Sequence, residues 1–374
     1  MNNLIWIGIR ESEVKYTNFI ESSISVFGKN NLSLQRELGK NINHNKNSNQ
    51  SLMNDFYNQK MIEIVKQNDK ARFMCYSQIY IYSELKRLNL LDKVVCLNNQ
   101  ETVLFAHDKF KVKEYFNDII PILDFKIILG RDFDYSKLCK EFNTEKLVLQ
   151  LADSSGGFGT ILVDKNTDFE PNKNSSYMVT KYCENNIPIN VSVLISDKTV
   201  TILPLSIQLI ERFNDRLMYK GSDFISYRDL VSNEITNKAK EHASKIASFM
   251  QKKGYRGFLG MDMIVYEDEV YLMEINPRFQ NSSSIINKAL MDNNMPSLQE
   301  LNYNCFKGEN ITLNEFNVNY SSYINEYGQA ERKIDAQKIE SLDLNNYITE
   351  YEDMSYICTD LYNEGIVKKE TLII

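Results

Sequence analysis

The sequence predicts a mixed α/β and α+β protein, with a small parallel-sheet unit first and a larger region of antiparallel strands after it. Three observations carry that expectation. Over the first hundred residues, short apolar runs alternate with helix-compatible stretches, the pattern of strand–helix–strand units. From Lys146 onward, strand-like segments follow one another directly, as hairpins do. Near the end of that region, Ile235, Ala239, Ala243, Ile246 and Met250 recur at helical spacing and predict an amphipathic helix over 233–253 facing a core.

Element by element, Leu4–Ile9 reads as a strand, a helix-compatible stretch starts at Glu11, and Ile24–Phe27 is a second strand ending at Gly28. The segment Asn41–Gln50 is half asparagine and has no apolar period, so it is expected to be a surface loop before helical spacing returns at Met61, Ile62 and Val65. Arg72–Tyr76, Ile79–Leu91 and Lys93–Leu97 read as strand, helix and strand. A helix begins near Asp108 and stops before Pro121, and another lies around Tyr135–Phe142. Lys146–Leu151, Thr160–Val163, Tyr177–Cys183, Ile189–Ile195 and Val200–Leu205 are expected strands. Gly260–Tyr266 and Glu269–Ile275 form a last pair about the turn Glu267-Asp268. The resulting division is 1–105, 106–183, 184–308 and a polar, aromatic extension over 309–374.

Composition excludes several function classes. The 374 residues carry 43 Lys plus Arg against 50 Asp plus Glu, a net charge of −7, which argues against a protein built to grip nucleic acid or anionic lipid. Six scattered cysteines without a Cys-x-x-Cys pair argue against disulfide frameworks and zinc ribbons and fit a reducing cytoplasm. The N-terminus lacks the basic and apolar regions of a signal peptide, and no apolar run reaches the ~20 residues of a membrane span. A homodimer is compatible with all of this.

Two clusters can carry chemistry. The loop Asp153–Gly159 holds three glycines and two serines, so its backbone N–H groups can converge on an anion. An ordinary glycine-rich hairpin turn accounts for the loop equally well. More specific is Asp262 in one strand with Glu274 and Asn276 in the next. The latter two differ by two positions and share a face. Carboxylates embedded in GFLGMDMIVY and YLMEINP are costly unless paired or metal-bound, and such oxygen ligands suit Mg²⁺. Arg278, past Pro277, points a cation at the same place.

Four stretches in order, HDKFKVKEYFNDIIP (107–121), KLVLQLADSSGGFGTILV (146–163), YMVTKYCENNIPINVSVL (177–194) and GFLGMDMIVYEDEVYLMEINPRF (257–279), resemble the ATP-grasp superfamily, in particular its carbamoyl-phosphate synthetase and biotin carboxylase branch. The resemblance spans about residues 1–305. It implies an N-terminal Rossmann-like pre-ATP-grasp domain, a small lid subdomain and a C-terminal catalytic domain with an antiparallel sheet. Lys109 is then the cation that reaches nucleotide phosphate, and Ser155, Gly156, Gly157 and Gly159 form the loop over the β- and γ-phosphates. Thr180, Lys181, Tyr182 and Cys183 are implied as the adenine hinge, with Glu184 near the ribose. Asp262, Glu274 and Asn276 match magnesium ligands, with manganese as the alternative ion, and Arg278 is the arginine beside the transferred phosphate.

One departure stands out. Where the family usually has Lys or Arg, this chain has Gln150, which donates a hydrogen bond but brings no charge; Lys220 or Lys181 is the candidate substitute cation.

The activity implied is ATP-dependent joining of a small carboxylic acid, such as an amino acid, to an amine through an acyl phosphate. Acyl transfer to a carrier-protein thiol and nucleotide binding without turnover are the alternatives. On the substrate side, Arg212, Arg216, Lys220 and Arg228 lie in a polar stretch expected to be a loop, which reads either as recognition of an acidic substrate or as a solvated loop. Ser282 either binds a substrate carboxylate or caps the next helix.

Overall fold

The computed structural model describes residues 3–28, 30, 32–38, 48–79, 81–152, 159–213, 216–324, 348–352 and 355–358. The N-terminal strands β1 (Leu4–Arg10) and β2 (Ser22–Phe27) are followed by helices α1 (Leu34–Leu38) and α2 (Ser48–Gln67), then β3 (Arg72–Cys75) and α3 (Tyr82–Arg87). The three strands pair in parallel in the order β2-β1-β3, over a core of Ile5, Ile7, Ile24, Val26 and Phe73. Of the expected Asn41–Gln50 loop, residues 41–47 lie outside the described residues, and Ser48–Gln50 already belong to α2. Lys93–Leu97 is not a strand: Leu91–Lys93 is a 3-10 turn, and a lone bridge between Phe73 and Val94 is what pairs there.

Helices α4 (Gln100–His107) and α5 (Lys109–Phe116) meet at Asp108. Its backbone closes α4, while its carboxylate accepts the N–H groups of Phe110 and Lys111, both at 3.1 Å, and starts α5. That cap fixes Lys109 as the first residue of its helix. Next come β4 (Phe125–Leu129), α6 (Tyr135–Glu141), β5 (Leu147–Leu151), β6 (Thr160–Val163) and β7 (Ser176–Lys181). They are antiparallel in the order β6-β5-β7-β4, and Leu147, Leu149 and Val179 pack with Leu138 beneath them.

The largest core lies on one face of β8 (Ile187–Ile195), β10 (Ser206–Phe213), β12 (Gly257–Tyr266) and β13 (Glu269–Asn276). Helix α8 (Asn233–Lys252) covers it with Ile235, Ala239, Ala243, Ile246 and Met250. Between these elements run β9 (Val200–Ile202), β11 (Arg216–Asp223) and α7 (Ile225–Leu230). The stretch from Glu211 to Arg228, expected as a loop, is therefore mostly the β10–β11 hairpin and α7; alternating charges hid its strands.

The other face of β8 and β12 is apolar at one end and polar at the other. Leu194 and Phe258 pack with Trp6 and Met74 of the parallel unit and with helices α9 (Ser283–Asp292) and α10 (Leu298–Phe306). Further along the same face come Ser192, Asn190 and Asp262, because side chains repeat every second residue. Three further strands, β14 (Ser321–Ile324), β15 (Ile348–Glu352) and β16 (Ser355–Cys358), extend the sheet from β11. Among the described residues, no helix is long and apolar enough to cross a membrane.

Candidate active site

The β12–β13 hairpin sets the floor of the site. Glu267 and Asp268 both adopt left-handed backbone (φ 49° and 59°), which gives the tight two-residue turn that matches the twist of the strands. The register that follows places Asp262 directly opposite Glu274, and Gly260 opposite Asn276. Asn276 Nδ2 donates to Asp262 Oδ2 at 3.0 Å and to Glu274 Oε1 at 3.3 Å. Asn190 Nδ2 donates to Asp262 Oδ1 at 2.7 Å, and Gln280 Nε2 reaches the same oxygen at 3.3 Å. Lys109 Nζ sits 2.7 Å from Glu274 Oε2.

This arrangement splits the two carboxyls. Burial, followed by the neighbouring Glu274 charge, holds Asp262 above the usual carboxylate range. Burial also acts on Glu274, but the Lys109 ion pair overcomes it and holds Glu274 below that range. The two facing carboxyls, with the Asn276 amide between them, are hard oxygen donors that fit a divalent ion such as Mg²⁺.

Arg278 closes this side. Its Nη2 donates to Asn276 Oδ1 at 2.9 Å, and its Nη1 donates to the Tyr76 hydroxyl at 3.1 Å and the Phe279 carbonyl at 3.0 Å. Tyr76 follows β3, so the parallel unit helps to orient the guanidinium.

A cleft of about 1230 Å³, including solvent at its mouth, runs from these groups to the segment after β7. Its far end is lined by Leu123, Val148, Pro188, Ile264 and Met273, with Thr180, Lys181, Tyr182 and Cys183 along one edge. The Tyr182 N–H is committed to the Lys146 carbonyl at 2.9 Å, and the Cys183 carbonyl accepts Asn186 Nδ2 at 2.8 Å. Gln150 lines the cleft beside Val148, while Gly159 is buried and its carbonyl accepts the Leu151 N–H. Ser155, Gly156 and Gly157 lie outside the described residues.

Other expected residues fall elsewhere. Glu184 is an exposed partner of Lys146 at 2.6 Å and does not line the cleft. Lys220 is buried but also absent from the lining, because Tyr219 and Ser222 of its strand face the cleft instead. Lys181 does line the cleft, with its Nζ 4.9 Å from the Tyr266 ring centre. Arg228 donates to Asn319 Oδ1 at 3.0 Å, away from the cleft. Ser282 makes no capping hydrogen bond to α9; its hydroxyl is buried at the cleft wall and meets no partner among the described residues.

Sequence reasoning passed over Asn190, Tyr76, Gln280 and Lys113. Asn190 and Gln280 were discoverable as polar residues inside apolar or site-flanking runs. Lys113, one turn after Lys109, is fully buried, and its Nζ meets no hydrogen-bond acceptor among the described residues. Burial and the nearby Lys109 push its ammonium down to about 8.

A family model described as an ATP-grasp domain matches residues 106–282, the span that contains β4 to β13 and the whole of the carboxylate–arginine floor. Residues 106–282 are thus similar to an ATP-grasp domain. A curated relative, tyramine–L-glutamate ligase of Methanocaldococcus fervens, is 27% identical over 190 residues, covering 50% of this chain and 55% of the relative. The chain thus matches little more than half the length of that relative. Among solved structures, N5-carboxyaminoimidazole synthetase from Staphylococcus aureus complexed with ADP superposes with a TM-score of 0.59 at 12% identity, covering 99% of this chain and 97% of that one. Biotin carboxylase from Campylobacter jejuni gives a TM-score of 0.56 at 16% identity, over 86% and 74% of the two chains. These structural likenesses place the fold alone: it is the mixed α/β architecture with antiparallel sheets expected from the sequence.

Proposed function

We propose that this ATP-grasp protein is an ADP-forming carboxylate–amine ligase. The single observation that carries the reading is the convergence of Asp262, Glu274, Asn276, Arg278 and Lys109 at one end of a cleft whose other end is apolar and edged by the segment Thr180 to Cys183. An apolar slot edged by this segment suits a purine, and the polar end suits its phosphates. In the proposed reaction, a carboxylate oxygen of the acid attacks the γ-phosphorus of ATP and ADP leaves. The amine then attacks the acyl carbon, and phosphate departs with the bond electrons.

The chain's residues position and neutralise. Asp262, Glu274 and Asn276 would hold magnesium, which supplies charge neutralisation of the phosphates when bound. Lys109 keeps Glu274 ionised, and Arg278, fixed by Tyr76 and Asn276, stabilises charge that develops on the transferred group. Ser282, with its hydroxyl at the cleft wall, is assigned to the substrate side. The relative's activity, joining tyramine to L-glutamate, supports small acids and amines as the substrate classes. The test is a phosphate-release screen of carboxylic acids against amines with mass spectrometry of the product. ATP turnover with a new amide mass supports the reading, whereas ATP binding without turnover across the panel refutes ligation.

A further inference from the structure

Tyr219 and Ser222 both line the cleft from β11, and their hydroxyl oxygens lie 2.7 Å apart. One hydroxyl proton is spent between them, so the pair keeps one proton and several oxygen lone pairs for a ligand. Burial pushes the Tyr219 phenol up from its ordinary pKa, and the Asp262 charge adds to this, so the hydroxyl stays neutral. The pair is also braced from behind. Ser222 stands opposite Ser322 in the β11–β14 ladder, and its N–H donates to the Ser322 hydroxyl at 3.3 Å. The extension after residue 309 thus has a part in the cleft: β14 supports this wall. On the other side of β11, the register sets Gln208 across from Ser222, and Gln208 adds an amide oxygen to the same wall. The wall at the start of α9 differs in kind. Arg10 Nη1 donates to Asn281 Oδ1 at 2.7 Å, which leaves Asn281 its Nδ2 to donate, beside the Ser282 hydroxyl. Donors there suit the oxygens of an acid, whereas lone pairs on the β11 wall suit an N–H.

We infer that the Tyr219–Ser222 hydroxyl pair is the subsite for the acceptor amine and takes it as the uncharged free base, through N–H bonds to the two oxygens. The inference rests on the ligase reading of the cleft and adds where the amine sits and in which ionic form. Charge decides the form. Among the described residues that line the cleft, the acids are Asp262 and Glu274, both assigned to the metal, and Lys109, Lys181 and Arg278 are cations. An ammonium finds no carboxylate to hold it on the β11 wall, and the cations disfavour it. A carboxylate at position 222 would do the reverse and hold the nitrogen as an inert ammonium. With its N–H groups on the hydroxyl oxygens, the amine keeps its lone pair for the acyl carbon. The carbon–nitrogen bond then forms, the bond from carbon to the phosphate oxygen breaks, and the amine proton leaves with the phosphate.

The experiment is steady-state kinetics of the full chain with MgATP, an acid–amine pair that gives an amide in the ligation screen, and hydroxylamine as a second amine. Wild type, Tyr219→Phe and Ser222→Ala are compared, each with one substrate varied and the others saturating. In both variants kcat/KM for either amine should fall by about three- to tenfold, the loss of one neutral hydrogen bond, while KM for ATP and for the acid stays close to wild type. Retained KM values for ATP and acid show that a variant is folded. An unchanged kcat/KM for the amines, or an equal loss for all three substrates, overturns the inference while leaving the ligase reading in place. A wild-type chain that makes no amide from any pair overturns both.

Discussion

Lys109 Nζ and Glu274 Oε2 lie 2.7 Å apart, joining the first residue of α5 to the outer strand of the β12–β13 hairpin. Both side chains are mostly buried, so this ion pair is shielded from the screening that weakens surface pairs. Its consequence is chemical: it is the cation that keeps one of two adjacent carboxyls charged. Lys109→Met should raise the proton affinity of Glu274. Turnover is expected to fall by about 10²–10³-fold, and the remaining rate should move to higher pH, where the carboxylate ionises again. A pH profile of phosphate release checks this; an unshifted profile would show that Lys109 serves packing alone.

Replacement of Glu274 by Gln keeps the shape and the Asn276 contact but removes one anionic oxygen. ADP formation should drop below detection, and the melting temperature should fall, since the buried Lys109 ammonium loses its partner. Arg278→Lys keeps a cation but cannot hold Asn276, Tyr76 and the Phe279 carbonyl together as the planar fork does. Its kcat is expected to fall by about 10²-fold with a smaller change in KM for ATP, measured by steady-state phosphate release.

How much of this was legible in the sequence follows from range. Asp262, Glu274 and Asn276 were readable because a two-residue turn and a two-residue period fix which residues share a face. The helix α8 was readable because its apolar stripe has one period throughout. The β10–β11 hairpin was not, since Glu211, Arg212, Arg216 and Lys220 break the apolar alternation that marks a strand. Tyr76 and Arg278 meet across about two hundred positions of chain, and no local pattern encodes such a contact. Ser282 had two readings from sequence, substrate-carboxylate contact or helix cap, and the bond to α9 that would have made it a cap is absent.

Gly260 illustrates a steric requirement that couples fold to site. A Cβ there would come within 2.1 Å of Gln280 Oε1, whose side chain bridges the Ser192 hydroxyl and Asp262. Gly260→Ala must push Gln280 away, at a cost of about 1–3 kcal/mol and with the loss of one donor to Asp262. Denaturant unfolding should show the loss, and Gly260→Ala combined with Gln280→Ser should regain stability without regaining turnover. Recovery of both would mean that Gln280 plays no part in holding Asp262.

Glu13 gives the molecule a pH dependence outside the cleft. Its carboxylate accepts from Trp6 Nε1 at 2.8 Å and from the Arg10 N–H at 3.2 Å, yet burial outweighs these donors and the Arg10 cation and pushes its pKa from 4.5 up to about 7. Between those two values the folded chain binds more of this proton than the unfolded chain, so stability falls as pH rises. The contribution is complete below about 4.5 and is lost as pH climbs through about 7. Glu13→Gln holds a neutral group of the same shape and should flatten that part of the profile, so the variant gains on wild type steadily from acid to neutral pH. Guanidinium midpoints of both proteins measured from pH 4 to 8 test the assignment. Curves that run parallel throughout would mean that Glu13 has the same pKa in the folded and unfolded chain, its donors and Arg10 offsetting its burial.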